Sequence, residues 1–260
     1  MATVDRHVEI LPGPTELTRA AADRIVTAAG EAVRATDRFV IALSGGSTPR
    51  ALFALLATDP YRGSIDWSRV HIFFGDERSV PPDDPASNYR MAREALLDHV
   101  PIPSHQVHRI HGEQSPAAAA AAAYERELRA TFDTSEGPPR VTPGGRFDLV
   151  LLGMGDNGHT ASLFPGLQAV RERQRWTVAE YVAEMSMWRV TLTPVVIDAA
   201  AEVMFLVKGA GKASMLHRVL EGPRDPDRLP AQIVAPHDGR LVWLVDAAAA
   251  SELRPKEARP

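Results

Sequence analysis

The sequence predicts a mostly parallel, Rossmann-like α/β sheet with helices on both faces. Three observations predict it. Short continuous apolar runs recur along the chain, each ends in glycine or polar residues, and amphipathic stretches separate them. Unbroken apolar runs are expected of parallel strands, because both of their faces are covered. Ligands in such folds bind at the carboxyl ends of strands, so the loops after the runs are where chemistry is sought.

Thr15 to Val33 places Leu17, Ala21, Ile25 and Val26 near helical spacing, with Thr15 as the expected N-cap. Phe39 to Leu43 is a strand that feeds Ser44-Gly45-Gly46. A helix is expected to start near Pro49, capped by Thr48. Val70 to Phe74 is the next strand and ends in Gly75-Asp76-Glu77-Arg78, and a helix follows Asn88. Ser115-Pro116 opens an alanine-rich surface helix that reaches about Phe132. Gly137 to Arg146 is a Pro- and Gly-rich loop. Asp148 to Leu152, Val190 to Thr193, Val203 to Val207 and Leu241 to Val245 read as further strands. Helices are expected over Lys212 to Glu221 and Ala247 to Leu253. No repeat or boundary divides the chain, so residues 1–260 read as a single domain.

Composition narrows the function. The 260 residues are 45% hydrophobic, enough for a sizeable core. A net charge of -4 offers no basic field for nucleic acid or an anionic membrane. With no cysteine, thiolate catalysis, disulfides and cysteine-built zinc sites are excluded. Met1 to Pro12 lacks the apolar stretch of a secretory signal, and no run approaches the roughly 20 residues that span a bilayer. A soluble cytoplasmic protein is expected, as a monomer or weak homo-oligomer.

Four loops could carry chemistry. Ser44, Gly45, Gly46, Ser47 and Thr48 join a strand to a helix start through glycines and hydroxyls. Free backbone N–H groups and the helix dipole suit an anion there, although a tight turn would look similar. Asp76 and Arg78, with Asn88 downstream, offer a carboxylate and a planar phosphate fork, or else a solvated charge cluster. The third loop holds Gly153, Gly155, Asp156, Asn157, Gly158 and His159. Its glycines fit a G-x-G-x-x-G dinucleotide pattern, but Pro165-Gly166 stops the long helix that pattern needs. It also leaves His159 unexplained, and a histidine can take a proton from water at neutral pH. The fourth loop, Lys208 to Ala213, puts Lys212 at a helix start, and Arg189 precedes a strand. Either could meet phosphate or be an ordinary surface cation. His105, His108 and His111 are spaced by three in what reads as extended chain, which does not converge on one face, so no metal is expected.

Taken in order, these motifs resemble the 6-phosphogluconolactonase family. The matching residues are Ser44-Gly45-Gly46-Ser47-Thr48-Pro49, Gly75-Asp76-Glu77-Arg78 with Val80-Pro81 and Ser87-Asn88, and Leu152-Gly153-Met154-Gly155. Gly158-His159-Thr160-Ala161-Ser162-Leu163-Phe164-Pro165, Trp188-Arg189-Val190-Thr191-Leu192-Thr193, Gly209 with Lys212-Ala213, and Leu229-Pro230-Ala231 continue it. The resemblance runs from about Leu43 to Asp246. It implies the fold of glucosamine-6-phosphate deaminases and ribose-phosphate isomerases. It implies hydrolysis of 6-phosphoglucono-1,5-lactone, the second step of the oxidative pentose phosphate pathway, without a cofactor. His159 would be the water-activating base and Asp76 a second catalytic group. Ser44 to Thr48, Arg78, Lys212 and Arg189 would take the phosphate. One departure stands out: the family usually has Asp-Gly-His, and this chain has Asn157 before Gly158, with its acid at Asp156.

Two alternatives follow. Related deaminases resemble the chain around Asp76 and His159 but carry a carboxylate five residues after the histidine, where this chain has Phe164. A non-catalytic sugar-phosphate sensor would use the phosphate loop alone, and would normally add a DNA-binding segment for which the short N-terminus leaves no room.

Overall fold

The computed structural model of the chain describes residues 6–254. Residues 1–5, part of the stretch read above as lacking a signal, lie outside the described residues. In chain order the strands are β1 (Arg6–Leu11), β2 (Phe39–Leu43), β3 (Val70–Phe74), β4 (Asp76–Arg78), β5 (Leu149–Leu152), β6 (Thr177–Val182), β7 (Met187–Leu192), β8 (Glu202–Val207) and β9 (Arg240–Asp246). The helices are α1 (Pro14–Thr36), α2 (Ser47–Leu56), α3 (Tyr61–Ser64), α4 (Asn88–Ala95), α5 (Ala117–Thr131), α6 (Pro194–Ile197) and α7 (Ala213–Glu221).

A six-stranded parallel sheet runs in the order β1-β9-β8-β5-β2-β3. Every residue of β2, β5 and β8 is buried, which is why β2, β5 and the Val203–Val207 part of β8 are continuous apolar runs. The chain steps from β2 outward to β3, then returns to the other side of β2 for β5. The order therefore reverses between β2 and β5, which pair through Ile41↔Leu149 and Ala42↔Val150. Loops leaving two such strands diverge and open a crevice at their carboxyl ends. Ser44 follows β2 there, and Gly153 follows β5.

A second, antiparallel sheet of order β4-β7-β6 continues from the carboxyl end of β3. It hangs on the first through Leu192 N, which donates to Gly75 O at 2.8 Å. The run at Val190 to Thr193 thus belongs to β7 and not to the parallel sheet, a correction to the sequence reading. β4 and β6 were not expected at all. One hydrophobic cluster draws on both sheets: Phe73 of the large sheet packs against His108, Phe132 and Phe147, and Val190 and Leu192 of the small sheet belong to the same cluster.

The helices follow from local chemistry, with four further corrections. α1 starts after Gly13 and puts Pro14 first, so Thr15 is not its cap. Proline loses nothing at that position, where the N–H has no helical acceptor. α2 begins at Ser47 with Gly46 as N-cap at φ 105, so Thr48 already lies inside the helix. The alanine-rich α5 is not simply a surface helix. Ala120, Ala121, Tyr124 and Leu128 form a buried face, and Tyr124 Oη bridges both the N–H and the C=O of Phe74. Ala247 to Leu253 forms turns and not a helix, with Asp246 Oδ1 accepting from Ala249 N at 2.8 Å and from Gly209 N at 2.9 Å.

Asp148 sits just before β5, and its carboxylate accepts from Val40 N at 2.7 Å. Burial pushes this carboxyl up to about 6 against that bond. The folded chain therefore holds the proton more tightly than the unfolded one. The stabilisation is full below about 4 and is lost as pH rises through about 6. Asp148→Asn removes the titration. Urea unfolding of parent and variant should show the variant gaining on the order of 2 kcal/mol relative to the parent between about pH 4 and pH 7. A difference independent of pH contradicts this reading.

Candidate active site

The crevice between β2 and β5 is a cleft of about 230 Å³ lined by Ser44, Gly45, Gly46, Asp76, Arg78, Asn88, Gly153, Met154, Gly155, His159, Ala161, Phe164, Met185 and Arg189. Five separate stretches of chain meet there, Asn88 of α4 among them. β2 delivers Ser44 and the glycines, the β3–β4 junction delivers Asp76 and Arg78, the loop after β5 delivers His159, and β7 delivers Arg189.

The two-residue period of a strand sorts the charges of β4. Asp76 pairs with Thr191 and Arg78 with Arg189, so these four share one face of the small sheet. Glu77 faces the other way, against the start of α4. Its Oε1 accepts from Arg78 N and Asn88 N at 2.8 Å each. Its Oε2 accepts from Ser87 Oγ at 3.0 Å and Tyr89 N at 2.8 Å. Burial raises the Glu77 pKa while the four bonds pull it down. This carboxylate locks α4 onto β4 and aims Asn88 Nδ2 at Asp76 O and Oδ1, 3.0 and 3.2 Å away. Asn88 in turn fills the space above Gly45, where a Cβ would stand 2.0 Å from Asn88 Oδ1.

Arg78 and Arg189 make one wall cationic. Arg78 donates from Nη1 to Ala86 O, and Arg189 donates from Nη2 to the Met185 sulfur at 2.8 Å. The Nε of each, and Ser44 Oγ, are buried with no hydrogen-bond partner. Burial lowers the Arg189 pKa, and the charge of Arg78 lowers it further. Two guanidiniums held this close with unmet donors favour an anion between them. The amino end of α2 adds backbone N–H groups that have no acceptor within the helix.

Opposite stands His159. Asn157 Oδ1 accepts from its backbone N–H at 3.2 Å and lies 2.6 Å from its Nδ1. An oxygen that accepts the backbone N–H is an acceptor for the ring as well. Nδ1 therefore carries the proton, and Nε2 keeps its lone pair. Gly158, at φ 79, makes the turn that brings Asn157 back to the ring. Gly155 leaves room for the ring, since a Cβ there would fall 2.1 Å from Nδ1 and Cε1. Phe164 stacks on the imidazole at 4.1 Å. Burial lowers the His159 pKa, Asp76 opposes this, and Lys212 and Arg189 reinforce it.

The expected site residues thus divide. Ser44, Gly45, Gly46, Asp76, Arg78, Asn88, Gly155, His159 and Arg189 line the cleft, and Asn157 and Gly158 support the ring from behind. Ser47 and Thr48 form the first turn of α2 and do not line the cleft. Lys212 does not line it either. Its Nζ donates to Met154 O at 2.9 Å and to the exposed Asp156 at 2.5 Å, which ties down the histidine loop. The partner of His159 is Asn157 rather than Asp156 or Asp76. Asp76 instead accepts from Ser162 Oγ at 2.6 Å and from Asn88. Glu77 and Met185 were missed. Glu77 stood between two charges that drew the attention, and nothing in the local sequence marks Met185. Away from the cleft, His108 lies between Glu127, at 2.6 Å from Nδ1, and His71, at 3.1 Å from Nε2.

A cationic wall facing a bare imidazole nitrogen places the chain among α/β enzymes that act on small anionic molecules. Known proteins narrow the class. Residues 12–243 match the family described as glucosamine-6-phosphate isomerases/6-phosphogluconolactonase. A 6-phosphogluconolactonase from a Nostoc species is 41% identical over 250 residues, which cover 95% of this chain and 98% of that protein. The structure of 6-phosphogluconolactonase from Trypanosoma cruzi matches with a TM-score of 0.84 at 31% identity, over 98% of this chain and 99% of its own. A monomeric glucosamine-6-phosphate deaminase shares the fold, with a TM-score of 0.79 at 21% identity over 95% of this chain and 99% of its own. The chain belongs to the glucosamine-6-phosphate isomerase/6-phosphogluconolactonase family.

Asn157→Asp restores a carboxylate 2.6 Å from the ring nitrogen. A negative charge there stabilises the imidazolium, so the His159 pKa should rise. An NMR titration of His159 checks this: the parent titrates below 6.5, and the variant titrates higher than the parent. A variant that titrates at or below the parent contradicts the assignment of Asn157 as the ring's partner.

Proposed function

We propose that the chain is a 6-phosphogluconolactonase. It hydrolyses 6-phospho-D-glucono-1,5-lactone to 6-phospho-D-gluconate, the second step of the oxidative pentose phosphate pathway, with His159 activating the water. The observation that carries the mechanism is the His159 ring, donor at Nδ1 to Asn157 and bare at Nε2, in one cleft with Arg78 and Arg189.

The phosphate sits against Arg78, Arg189 and the backbone N–H groups at the amino end of α2, with Ser44, Gly45 and Gly46 around it. Asn88 and Asp76 meet the sugar hydroxyls. Lys212 contributes its positive field and holds the histidine loop. Nε2 takes a proton from water as the oxygen attacks the lactone carbonyl. Loop N–H groups hold the developing oxyanion. The imidazolium, stabilised by the Asp76 charge, then returns the proton to the departing ring oxygen, which becomes a hydroxyl. A lowered His159 pKa keeps the base neutral and ready at physiological pH. Water is the only co-reactant this chemistry consumes, so no cofactor enters the scheme.

Phe164 favours hydrolysis over deamination. Its ring, 4% exposed and stacked on His159, stands where a proton-shuttling carboxylate would be needed. An apolar ring cannot move protons for ring opening, so glucosamine 6-phosphate should release no ammonia. No helix among the described residues is long and apolar enough to cross a membrane. A cytoplasmic enzyme, monomeric or weakly self-associating, is the form we propose.

Lactone hydrolysis measured against the spontaneous rate at about pH 6.5, with the unphosphorylated lactone as control, tests the activity. His159→Ala should lower kcat by about 10²–10⁴-fold and leave KM little changed. A variant with near-normal kcat removes His159 from the mechanism.

A further inference from the structure

The β6–β7 hairpin bends over the arginine wall at Met185, which follows β6 and lines the cleft. Met185 is 44% exposed, whereas Arg189, which donates to its sulfur at 2.8 Å, is only 7% exposed. A thioether is a weak acceptor. Arg189 therefore spends an N–H on a poor partner while its Nε has none. An incoming phosphate oxygen displaces such a partner easily. A stronger acceptor on the same sulfur would not be displaced so easily.

We propose that Met185 is an oxidation site that controls substrate affinity through Arg189. A peroxide supplies the oxygen. Its O–O bond breaks, an S–O bond forms on Met185, the sulfur gives up two electrons, and water leaves. The sulfoxide oxygen is a strong acceptor on a polar side chain and keeps the guanidinium turned to the hairpin. The chain favours this site in two ways. It has no cysteine to consume the oxidant. Among the described methionines, Met204 is fully buried, Met154 is 6% exposed, Met91, Met187 and Met215 are half-buried, and Met185 alone is exposed. The role of Arg189 in holding phosphate rests on the function proposed above.

The experiment treats the full chain with dilute hydrogen peroxide, maps oxidised peptides by mass spectrometry, and follows lactone hydrolysis. Met185 should oxidise first. KM should then rise about tenfold with kcat within about twofold, the size of one charge-assisted hydrogen bond to be displaced. Methionine sulfoxide reductase with a thiol reductant should restore the starting KM. Met185→Leu, with its own KM measured beforehand, should keep that KM through the same treatment. Binding of inorganic phosphate by calorimetry, before and after oxidation, reads the same effect without catalysis, so a chain that fails to hydrolyse the lactone still tests this site. Full oxidation of Met185 with phosphate binding and KM unchanged overturns the proposal. An equal loss of affinity in Met185→Leu overturns it as well.

Discussion

The hydrogen bond from His159 Nδ1 to Asn157 Oδ1 is the constraint around which the rest of the cleft is arranged. It decides which ring nitrogen is bare, and so, in the proposed mechanism, where a water is deprotonated. The bond exists only because Gly158 turns the chain back, Gly155 leaves the ring its volume, and Phe164 closes the ring's other face. Lys212, which follows the neighbouring strand β8, anchors the same loop through Met154 O. A neutral amide as partner has an electrostatic consequence. It fixes the tautomer but adds no negative charge, so burial dominates and the imidazole stays neutral. Asp76 supplies the compensating charge from across the cleft, where it can stabilise the imidazolium without capturing the ring.

The second half of the site depends on a different feature, the small antiparallel sheet. The central sheet alone opens a crevice between β2 and β5, but its own carboxyl ends supply few charges. β4 and β7 bring Arg78 and Arg189 side by side, and the buried Glu77 carboxylate ties that pair to α4. Burial lowers the Arg189 pKa, and repulsion from Arg78 lowers it further. The fold tolerates this because packing from both sheets enters one core. The site is thereby left with an unmet demand for an anion, the usual signature of a ligand site in a folded protein.

How much of this the sequence revealed depends on how each element is stabilised. β2 and β3 were legible to the residue, because strands covered on both faces have to be continuously apolar. The switch-point loops were legible as glycine clusters after those runs. β4 was not, since Asp76, Glu77 and Arg78 form a strand only through their pairing with β7, which no local pattern records. β1 is an edge strand of mixed exposure and lacks an apolar run for the same reason. Ala247 to Leu253 misled in the opposite direction: a helix was expected after the last strand, but the segment stays in turns, with Ala247 N tied to Leu11 O of the neighbouring strand. At the site, residue types pointed to His159 and the arginines. The identity of the ring's partner, the inward lock at Glu77 and the Met185 contact are matters of three-dimensional placement.

The tautomer of His159 is the most direct test of the central claim. Imidazole nitrogen shifts, measured by NMR on nitrogen-labelled protein at neutral pH, distinguish a protonated ring nitrogen from a bare one. The structure predicts a neutral ring with the proton on Nδ1 and a lone pair on Nε2. A proton on Nε2, or a doubly protonated ring at that pH, would contradict the account of how this cleft activates water.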